Sequence, residues 1–384
     1  METLINDHYS DSPNDRALDF VINRRRDAGA PVIGMYCGYA PVELVRAIGA
    51  VPVFLCAFSR KTIPEAETVL PANLCPLIKS SFGYIKTDTC PFYSLSDAII
   101  GETTCDGKKK MFELIQHIKP THIMDLPQQS DEREAFDTWV IMVHKLKTFL
   151  EKTFSAIITD ERLESEIKET NRKNRLMNKF FSYAANDPPL ISWSELYDVF
   201  ALEYVSNSYE LNLLLEALAE KLDKRLRDGE HIGNGHSHRV LVSGCPIGGD
   251  AKKVFEVIEE AGGVIVAMEA CSGMKGYTIE IEENSGDPIS ALASAYLKIP
   301  CSCMTPNQGR FDMLDAMISR FKPDVLIDVI LQTCLSYNIE SYRIEQHVKN
   351  KHNLPFLKVE TDFMESDRAM IRTRTQALME MCSR

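Results

Sequence analysis

The sequence predicts an α/β fold in which two Rossmann- or flavodoxin-like parallel-sheet domains face each other across a cleft, with a helical segment between them. Short β-branched runs alternate with helical stretches in the first and last parts of the chain, which is typical of βαβ units. Long amphipathic helices replace this alternation in the middle. We therefore predict an N-terminal α/β domain over residues 1–129, a helical segment and linker over 130–238, and a C-terminal α/β domain over 239–384.

The first predicted domain opens with a helix near residues 13–27 and continues as alternating strands and helices. The strands are expected at residues 32–36, 51–55, 97–100 and 121–124. The helices between them are expected at residues 41–48, 76–84 and 108–118. Gly49 can end the first of these helices, because glycine readily adopts the left-handed conformation that follows a helix.

The middle segment and the second predicted domain follow in the same way. A stretch with three glycines, residues 228–238, is predicted to be a linker. Its His231, His236 and His238 could bind a metal, but a solvated loop between domains is the simpler explanation. Strands are then expected at residues 239–243, 263–268, 325–331 and 354–359. Helices are expected at residues 251–260, 288–297, 312–321, 339–349 and 367–381.

The composition excludes several classes of protein. The 384 residues include 43 basic and 55 acidic side chains, a net charge of −12 that argues against nucleic acid or an anionic membrane as the main partner. No apolar stretch approaches the roughly 20 residues needed to span a bilayer. We expect a cytoplasmic protein, where thiols stay reduced, so its eleven cysteines are expected to be free, catalytic or metal-bound.

The placement of the cysteines is the most informative feature of the chain. Seven of the eleven follow a run that is interpreted as a strand: Cys37, Cys56, Cys105, Cys245, Cys271, Cys301 and Cys334. In open α/β sheets ligands bind beyond the carboxyl ends of the strands, so these thiols are expected to converge on one cleft. Soft thiolates gathered in one place predict a metal cluster, which the tertiary fold must assemble.

The individual cysteines differ in how strongly their sequence context indicates a metal ligand. Cys37 lies at a predicted strand-to-helix turn, where backbone N–H groups favour a thiolate, although a buried core cysteine remains the alternative. Cys75 precedes a predicted helix, and Cys105 has polar residues on both sides. Of Cys301 and Cys303, one is expected to bind and the other to pack. The segment GCPIGG at 244–249 lacks the spacing of a phosphate-binding loop, so no nucleotide site is predicted.

Seven short segments along the chain form a pattern. They are CGYAPVELVRAIG at 37–49, LCP at 74–76, ETTCDGKKK at 102–110, MEACSG at 268–273, PCSCMTPN at 300–307, QTC at 332–334 and VETD at 359–362. Together they resemble the 2-hydroxyacyl-CoA dehydratase subunit family, which includes phenyllactyl-CoA dehydratase and benzoyl-CoA reductase subunits. The resemblance covers nearly the whole chain. ETTCDGKKK and CSCMTPN make it most similar to the double-cubane cluster proteins of that family.

The resemblance implies an iron–sulfur cofactor. Dehydratase subunits of the family hold one [4Fe-4S] cluster with three cysteines, and the matching positions are Cys75, Cys105 and Cys334. A double-cubane [8Fe-9S] cluster needs about six thiolates, and Cys37, Cys271 and Cys303 are expected to supply the other three. The alternatives for these positions are Cys301, Cys90 and Cys245.

The resemblance also implies an activity and partners. A separate ATP-hydrolysing activator would deliver low-potential electrons, the chain would pair with a second copy or a related subunit, and the substrate would be an acyl-CoA or another small molecule. Two enzymes remain open: a lyase subunit that dehydrates an (R)-2-hydroxyacyl-CoA, and a double-cubane reductase, which the surplus of cysteines favours. The alternative is a non-catalytic, thiol-rich or zinc-binding relative. Glu43 is expected on a helix surface, and no catalytic base is assigned.

Overall fold

In the computed structural model, which describes residues 13–204, 206–232 and 237–382, two four-stranded sheets form the framework, and both are parallel throughout. The strands of the first sheet are β1 (Val32–Met35), β2 (Val51–Phe54), β3 (Ala98–Glu102) and β4 (Thr121–Met124), in the order β2-β1-β3-β4. The strands of the second are β5 (His238–Gly244), β6 (Gly263–Glu269), β7 (Val325–Leu331) and β8 (Phe356–Thr361), in the order β6-β5-β7-β8. The predicted α/β fold class is confirmed.

The central strands are buried on both faces because helices cover both sides of each sheet. Every residue of β1, β3 and β7 is buried. Such strands are near-continuous apolar runs, as expected for parallel sheets. A charged residue in such a strand is unusual and needs a buried partner. Glu102 in β3 and Asp328 in β7 are two such residues.

Helices connect the strands and fill the middle of the chain. In the first part they are α1 (Pro13–Ala28), α2 (Val42–Ala47), α3 (Ile63–Ala66), α4 (Pro76–Lys86), α5 (Pro91–Leu95) and α6 (Asp106–Ile115). The middle holds α7 (Arg133–Phe154), α8 (Asp160–Ala185), α9 (Trp193–Ala201) and α10 (Ser208–Asp228). The last part holds α11 (Lys253–Glu260), α12 (Pro288–Leu297), α13 (Gln308–Phe321), α14 (Leu335–His352) and α15 (Arg368–Cys382).

The middle helices share their cores with the two sheets. Trp139 of α7 and Ile167 of α8 pack with residues of the first sheet. Leu292 of α12, which comes much later in the sequence, belongs to the same hydrophobic cluster. Phe180 of α8 and Leu215 of α10 instead pack with the second sheet. Helix α8 thus contributes to both cores and links them, while the exact domain boundaries at 129 and 238 stay a prediction.

Both sheets have the same topology around their first strand. The order reverses between β1 and β3 in one sheet and between β5 and β7 in the other. At such a switch point the connections leave in opposite directions, so a crevice opens beyond the carboxyl ends of the strands.

Among the described residues no helix has both the length and the apolar character to cross a bilayer. Of the linker histidines, His236 lies outside the described residues.

Candidate functional site

The strand ends carry thiols as the sequence predicts, with one exception. Six of the seven cysteines do follow a strand within three residues: Cys37, Cys56, Cys105, Cys245, Cys271 and Cys334. The prediction of a strand before Cys301 is wrong, because the apolar run there is the end of α12. Cys301 lies instead in the connection between α12 and α13.

Three of the predicted ligands share one local structure. Cys75, Cys105 and Cys334 occupy the N-cap positions of α4, α6 and α14. The sulfur of Cys105 accepts a hydrogen bond from the backbone N–H of Lys108 at 3.4 Å. The unpaired N–H groups of a first helical turn favour a negative charge, so each position suits a thiolate.

These three thiols and Cys245 form what we call the first thiol group. Burial raises the pKa of Cys75 to about 12, and Cys334 and Cys105 lie near enough to influence it through their charges. Burial and a hydrogen bond with Cys334 raise the pKa of Cys245, and the same bond lowers the pKa of Cys334. Thiols that follow strands of different sheets therefore meet at one place.

The backbone at Cys245 explains how it comes so close to Cys334. Gly244 has a φ of +111°, and a Cβ there would lie 2.2 Å from the carbonyl oxygen of Val329 in the neighbouring strand. Only glycine fits such a close approach at positive φ. The sulfur of Cys245 then accepts the backbone N–H of Leu331 at 3.3 Å, at the end of β7.

A second thiol group consists of Cys37, Cys271, Cys301 and Cys303. A hydrogen bond with Cys303 lowers the pKa of Cys301, while the same bond together with burial raises that of Cys303. The charge of Cys37 acts on Cys303, and that of Cys301 acts on Cys271. Cys271 is the solvent-exposed member of the group. Its pKa is nevertheless raised, because the surrounding protein displaces water from the thiol.

The two thiol groups adjoin, since the hydroxyl of Ser302, between Cys301 and Cys303, lies 3.0 Å from that of Ser336, two residues after Cys334. Cys301 accordingly influences the pKa of Cys334 through its charge. All six predicted ligands lie in these groups, together with the alternatives Cys245 and Cys301. Cys90 does not take part in the interactions described above. It caps α5, where its sulfur accepts the N–H of Tyr93 at 3.4 Å.

A buried lysine, Lys108, supplies positive charge to the second thiol group. Its Nζ lies 2.8 Å from the sulfur of Cys37 and 3.8 Å from that of Cys56. Glu102 accepts backbone N–H groups from this turn, including that of Cys37 at 3.3 Å and that of Ala40 at 2.8 Å. The carboxylate of Glu102 thus holds the backbone of the turn after β1, and the ammonium group of Lys108 places a positive charge beside the sulfur of Cys37.

The C-terminal half supplies a matching cation. Lys275 is fully buried, and its Nζ lies 2.5 Å from Glu269 and 3.2 Å from the hydroxyl of Tyr337. Its charge opposes the rise in the pKa of Cys271 caused by burial and helps to lower the pKa of Cys301. The second thiol group is therefore flanked by two buried ammonium groups, which favour negative charge on its sulfurs.

Neither lysine is predicted as a site residue from the sequence. The run Lys108-Lys-Lys110 resembles the charged first turn of a helix, and two of its members are indeed exposed, paired with Asp106 and Glu113. The helical period was the available signal, because Lys108 is the member that shares a face with the buried Met111 and Phe112. A lysine on the apolar face of a helix needs a buried partner.

A buried charge network supports the strands that lead to Cys271 and Cys334. Arg310 of α13 contacts Glu269 of β6 at 3.1 Å, Asp328 of β7 at 3.5 Å and Glu340 of α14 at 2.6 Å. The side chain of Asn307 joins this network to the carbonyl oxygen of Cys301 at 3.0 Å. The network fixes the relative positions of the elements that present the thiols.

Glu43 does not lie on a helix surface, so this expectation is wrong. Its side chain is fully buried, and the hydroxyl of Tyr296 contacts both carboxylate oxygens at 3.2 and 3.0 Å. The carboxylate faces Tyr296 of α12, which lies 253 residues later in the chain, so local sequence cannot predict this contact.

The spacing of the thiols bears on the kind of metal centre they could hold. Among the described residues, the group of three metal-ligating side chains whose ligand atoms lie within 4.8 Å of one another is Asp315, His347 and His352, not a set of cysteines. A single zinc ion needs sulfurs about 4 Å apart. An iron–sulfur cubane binds each cysteine at a separate iron and accepts wider spacing, so the donor set fits a cluster better.

The fold and the thiols define an α/β protein that brings cysteine side chains together from the ends of two parallel sheets. The family model described as 2-hydroxyglutaryl-CoA dehydratase, D-component matches residues 37–382, and the chain belongs to this family. The predicted family is thereby confirmed. Membership of the double-cubane subgroup stays a prediction.

Three relatives illustrate the similarity. The chain is 40% identical over 357 residues to the putative dehydratase subunit YjiM of Escherichia coli (strain K12), covering 93% of this chain and 92% of the relative. It is 25% identical to the (R)-phenyllactyl-CoA dehydratase beta subunit of Clostridium sporogenes, covering 94% of each chain. It is 23% identical to the lactoyl-CoA dehydratase subunit beta of Anaerotignum propionicum, covering 93% of each chain.

Proposed function

We propose that this chain binds a double-cubane-type [8Fe-9S] cluster and acts as a reductase of small molecules that uses low-potential electrons. The observation that carries the proposal is the second thiol group, which adjoins the first and is flanked by Lys108 and Lys275. A single [4Fe-4S] cluster would use three thiols of the first group and leave this second set of sulfurs and cations without a role.

The two thiol groups divide the ligands between the two cubanes. Cys75, Cys105 and Cys334 would hold one cubane from three helix N-termini. Cys37, Cys271 and Cys303 would hold the other, as the family resemblance implies. Cys301 competes with Cys303 for the last position, and its lowered pKa favours it as the thiolate of the pair.

When bound, such a cluster supplies one-electron transfer at low potential, with the potential set by net charge, hydrogen bonds and burial. The protein's own contribution is to hold the sulfurs at fixed positions and to offset their negative charge with Lys108 and Lys275. Cys271, as the exposed ligand, marks the side from which a small substrate could approach.

The electrons would come from a separate ATP-hydrolysing activator, as the family resemblance implies, and the lack of a predicted phosphate-binding loop in this chain is consistent with that. A second copy of the chain or a related subunit would complete the enzyme. Two of the relatives are named as beta subunits, which supports pairing with another subunit.

The test is to count iron and acid-labile sulfide per chain in protein purified without air, with an EPR spectrum after dithionite reduction. About eight irons support the double cubane, and a Cys37→Ser or Cys271→Ser variant should lose about half of them. Cys382→Ser, which changes a cysteine of α15, is the matched control and should keep the full content. Iron near zero after anaerobic reconstitution would overturn the proposal.

The second candidate is an (R)-2-hydroxyacyl-CoA dehydratase subunit with one [4Fe-4S] cluster. The full-length similarity to two dehydratase beta subunits favours it. About four irons in the wild type, unchanged in Cys37→Ser and lost in Cys105→Ser, would select this candidate. Formation of the unsaturated acyl-CoA in the presence of an activator would then identify the reaction.

A further inference from the structure

A second cluster of metal-ligating side chains lies on the helices α13 and α14, away from the thiols. Nε2 of His347 lies 2.7 Å from Oδ1 of Asp315, and Nε2 of His352 lies 2.5 Å from the same oxygen. His347 is thirteen residues beyond Cys334, which places it about 20 Å along α14 from the first thiol group. The three side chains are about one fifth exposed, so an ion could reach them.

The surroundings hold these three groups in place. The ring of Phe311 packs edge-on against His347 with the ring centroids 5.0 Å apart. Nζ of Lys351 lies 2.6 Å from Oδ2, the other carboxylate oxygen of Asp315. Hydrogen bonds from Lys351 and both histidines overcome the effect of burial and lower the pKa of Asp315 to about 2. The carboxylate is therefore ionised and oriented, with Oδ1 turned toward both imidazoles.

We propose that Asp315, His347 and His352 bind a divalent transition-metal ion, with Zn²⁺ as the best match, and that this ion fastens α13 to α14. Two imidazole nitrogens and one carboxylate oxygen suit zinc, and water would fill the fourth position. Imidazole ligands disfavour Mg²⁺ and Ca²⁺, which prefer oxygen. Lys351 would support the bound carboxylate from outside, as partners of metal ligands commonly do.

The existing geometry needs little change to admit the ion. With zinc–ligand distances near 2.1 Å, the nitrogen and oxygen atoms must separate to about 3.4 Å, so each pair opens by less than about 1 Å. Small rotations of these partly exposed side chains can supply this. The ion would replace the two hydrogen bonds to Oδ1 and leave the contact of Lys351 with Oδ2 in place.

The position of the site gives the ion a structural role. Helix α14 begins after Cys334, and α13 begins after Asn307, whose side chain contacts the carbonyl oxygen of Cys301. The same two helices thus carry thiol-bearing segments at their N-terminal ends and the proposed zinc ligands further along. Zinc would hold them together at the end remote from the thiols.

The first test is equilibrium dialysis of the anaerobically purified full-length protein against Zn²⁺, with zinc and iron counted in the same samples. The double variant His347→Gln/His352→Gln keeps every cysteine, so zinc bound to thiols cancels in the comparison. The wild type should bind about one more zinc per chain than the variant at equal iron content. Lys351→Met keeps all three ligands and should retain the extra zinc. Equal zinc in wild type and double variant would overturn the proposal.

A second test uses only the wild type and does not depend on how the variants fold. Diethylpyrocarbonate modifies neutral imidazoles, and mass spectrometry locates the modified residues. At a Zn²⁺ concentration ten times the dissociation constant, modification of His347 and His352 should slow about tenfold. The exposed His117 and His144 should react at unchanged rates. If zinc leaves the rates at His347 and His352 unchanged, Asp315 is only the centre of a metal-free ion-pair cluster.

Discussion

At the scale of single residues, the buried charge of Lys108 is the detail that most directly concerns the proposed cluster. Its ammonium group touches the sulfur of Cys37 at 2.8 Å and has little access to water. A fixed positive charge stabilises a thiolate and also the added electron of a reduced cluster. It therefore affects both the assembly of a cluster and its potential.

We predict that Lys108→Met makes the reduction potential of the bound cluster more negative. Two charges about 5 Å apart at an effective dielectric constant of about 20 interact by about 3 kcal/mol, so the shift is on the order of 100 mV. A redox titration followed by EPR measures it. Lys110→Met removes an exposed lysine of the same helix and should leave the potential unchanged. Equal potentials in the two variants would contradict the role given to Lys108.

Asp315 gives a second prediction at this scale, one that does not depend on a metal. Its pKa is lowered to about 2, so its ionised form stabilises the folded state above the pKa of the unfolded chain, near 4. This contribution is lost as the pH falls from about 4 to 2. We expect Asp315→Asn to lower the free energy of unfolding by about 1–2 kcal/mol at pH 7, allowing for solvent screening.

Urea unfolding of wild type and Asp315→Asn in buffer with a zinc chelator checks this expectation. The difference in unfolding free energy should be present at pH 7 and shrink as the pH approaches 3. A difference that stays constant between these pH values would mean that Asp315 acts through its shape and not through its charge.

At the scale of secondary structure, local sequence signals were sufficient for the strands and the longer helices of the two sheet-forming parts, and insufficient for the two shortest helices. The strand at Val325–Leu331 and the helix at Pro288–Leu297 match the prediction in full, because each has a clear hydrophobic pattern with distinct ends. Helices α3 and α5 were missed because one or two turns leave no measurable period. The error before Cys301 has the same origin, since a short apolar run suits either a strand or a helix end.

Helix α9 provides a prediction at this scale. Ser192 and Glu195 form a capping box: the backbone N–H of Glu195 donates to the hydroxyl of Ser192 at 3.1 Å, and the N–H of Ser192 donates to the carboxylate of Glu195 at 3.0 Å. Ser192→Ala should lower the free energy of unfolding by about 1 kcal/mol. Ser194→Ala, an exposed change in the same helix, should be neutral in the same urea titration. Equal effects of the two changes would show that the cap contributes nothing.

At the scale of the whole molecule, the sequence could predict that thiols gather but not how they divide. Strand-end positions indicated that Cys37, Cys105 and Cys334 would approach one another, because topology alone brings carboxyl ends together. The topology could not indicate that Cys245 forms a hydrogen bond with Cys334 or that Lys275 lies near the thiols. Those contacts depend on side-chain packing between elements far apart in the sequence.

The reactivity of the cysteines tests the whole ligand assignment in one experiment. Alkylation of the anaerobic protein, followed by mass spectrometry, reports the reactivity of each thiol with and without its cluster. Cluster loading should protect Cys75, Cys105 and Cys334 together with Cys37 and Cys271, because a thiolate bound to iron is a poor nucleophile. One of the pair Cys301 and Cys303 should also be protected, and this identifies the sixth ligand.

The same experiment contains its own controls. Cys90 caps a short helix and Cys382 lies in α15, so neither should change its reactivity on loading. In the cluster-free protein the exposed Cys271 should react faster than the buried Cys245. Protection confined to Cys75, Cys105 and Cys334 would select the single [4Fe-4S] cluster of a dehydratase subunit. Unprotected thiols in both groups of an iron-loaded protein would contradict the ligand assignment altogether.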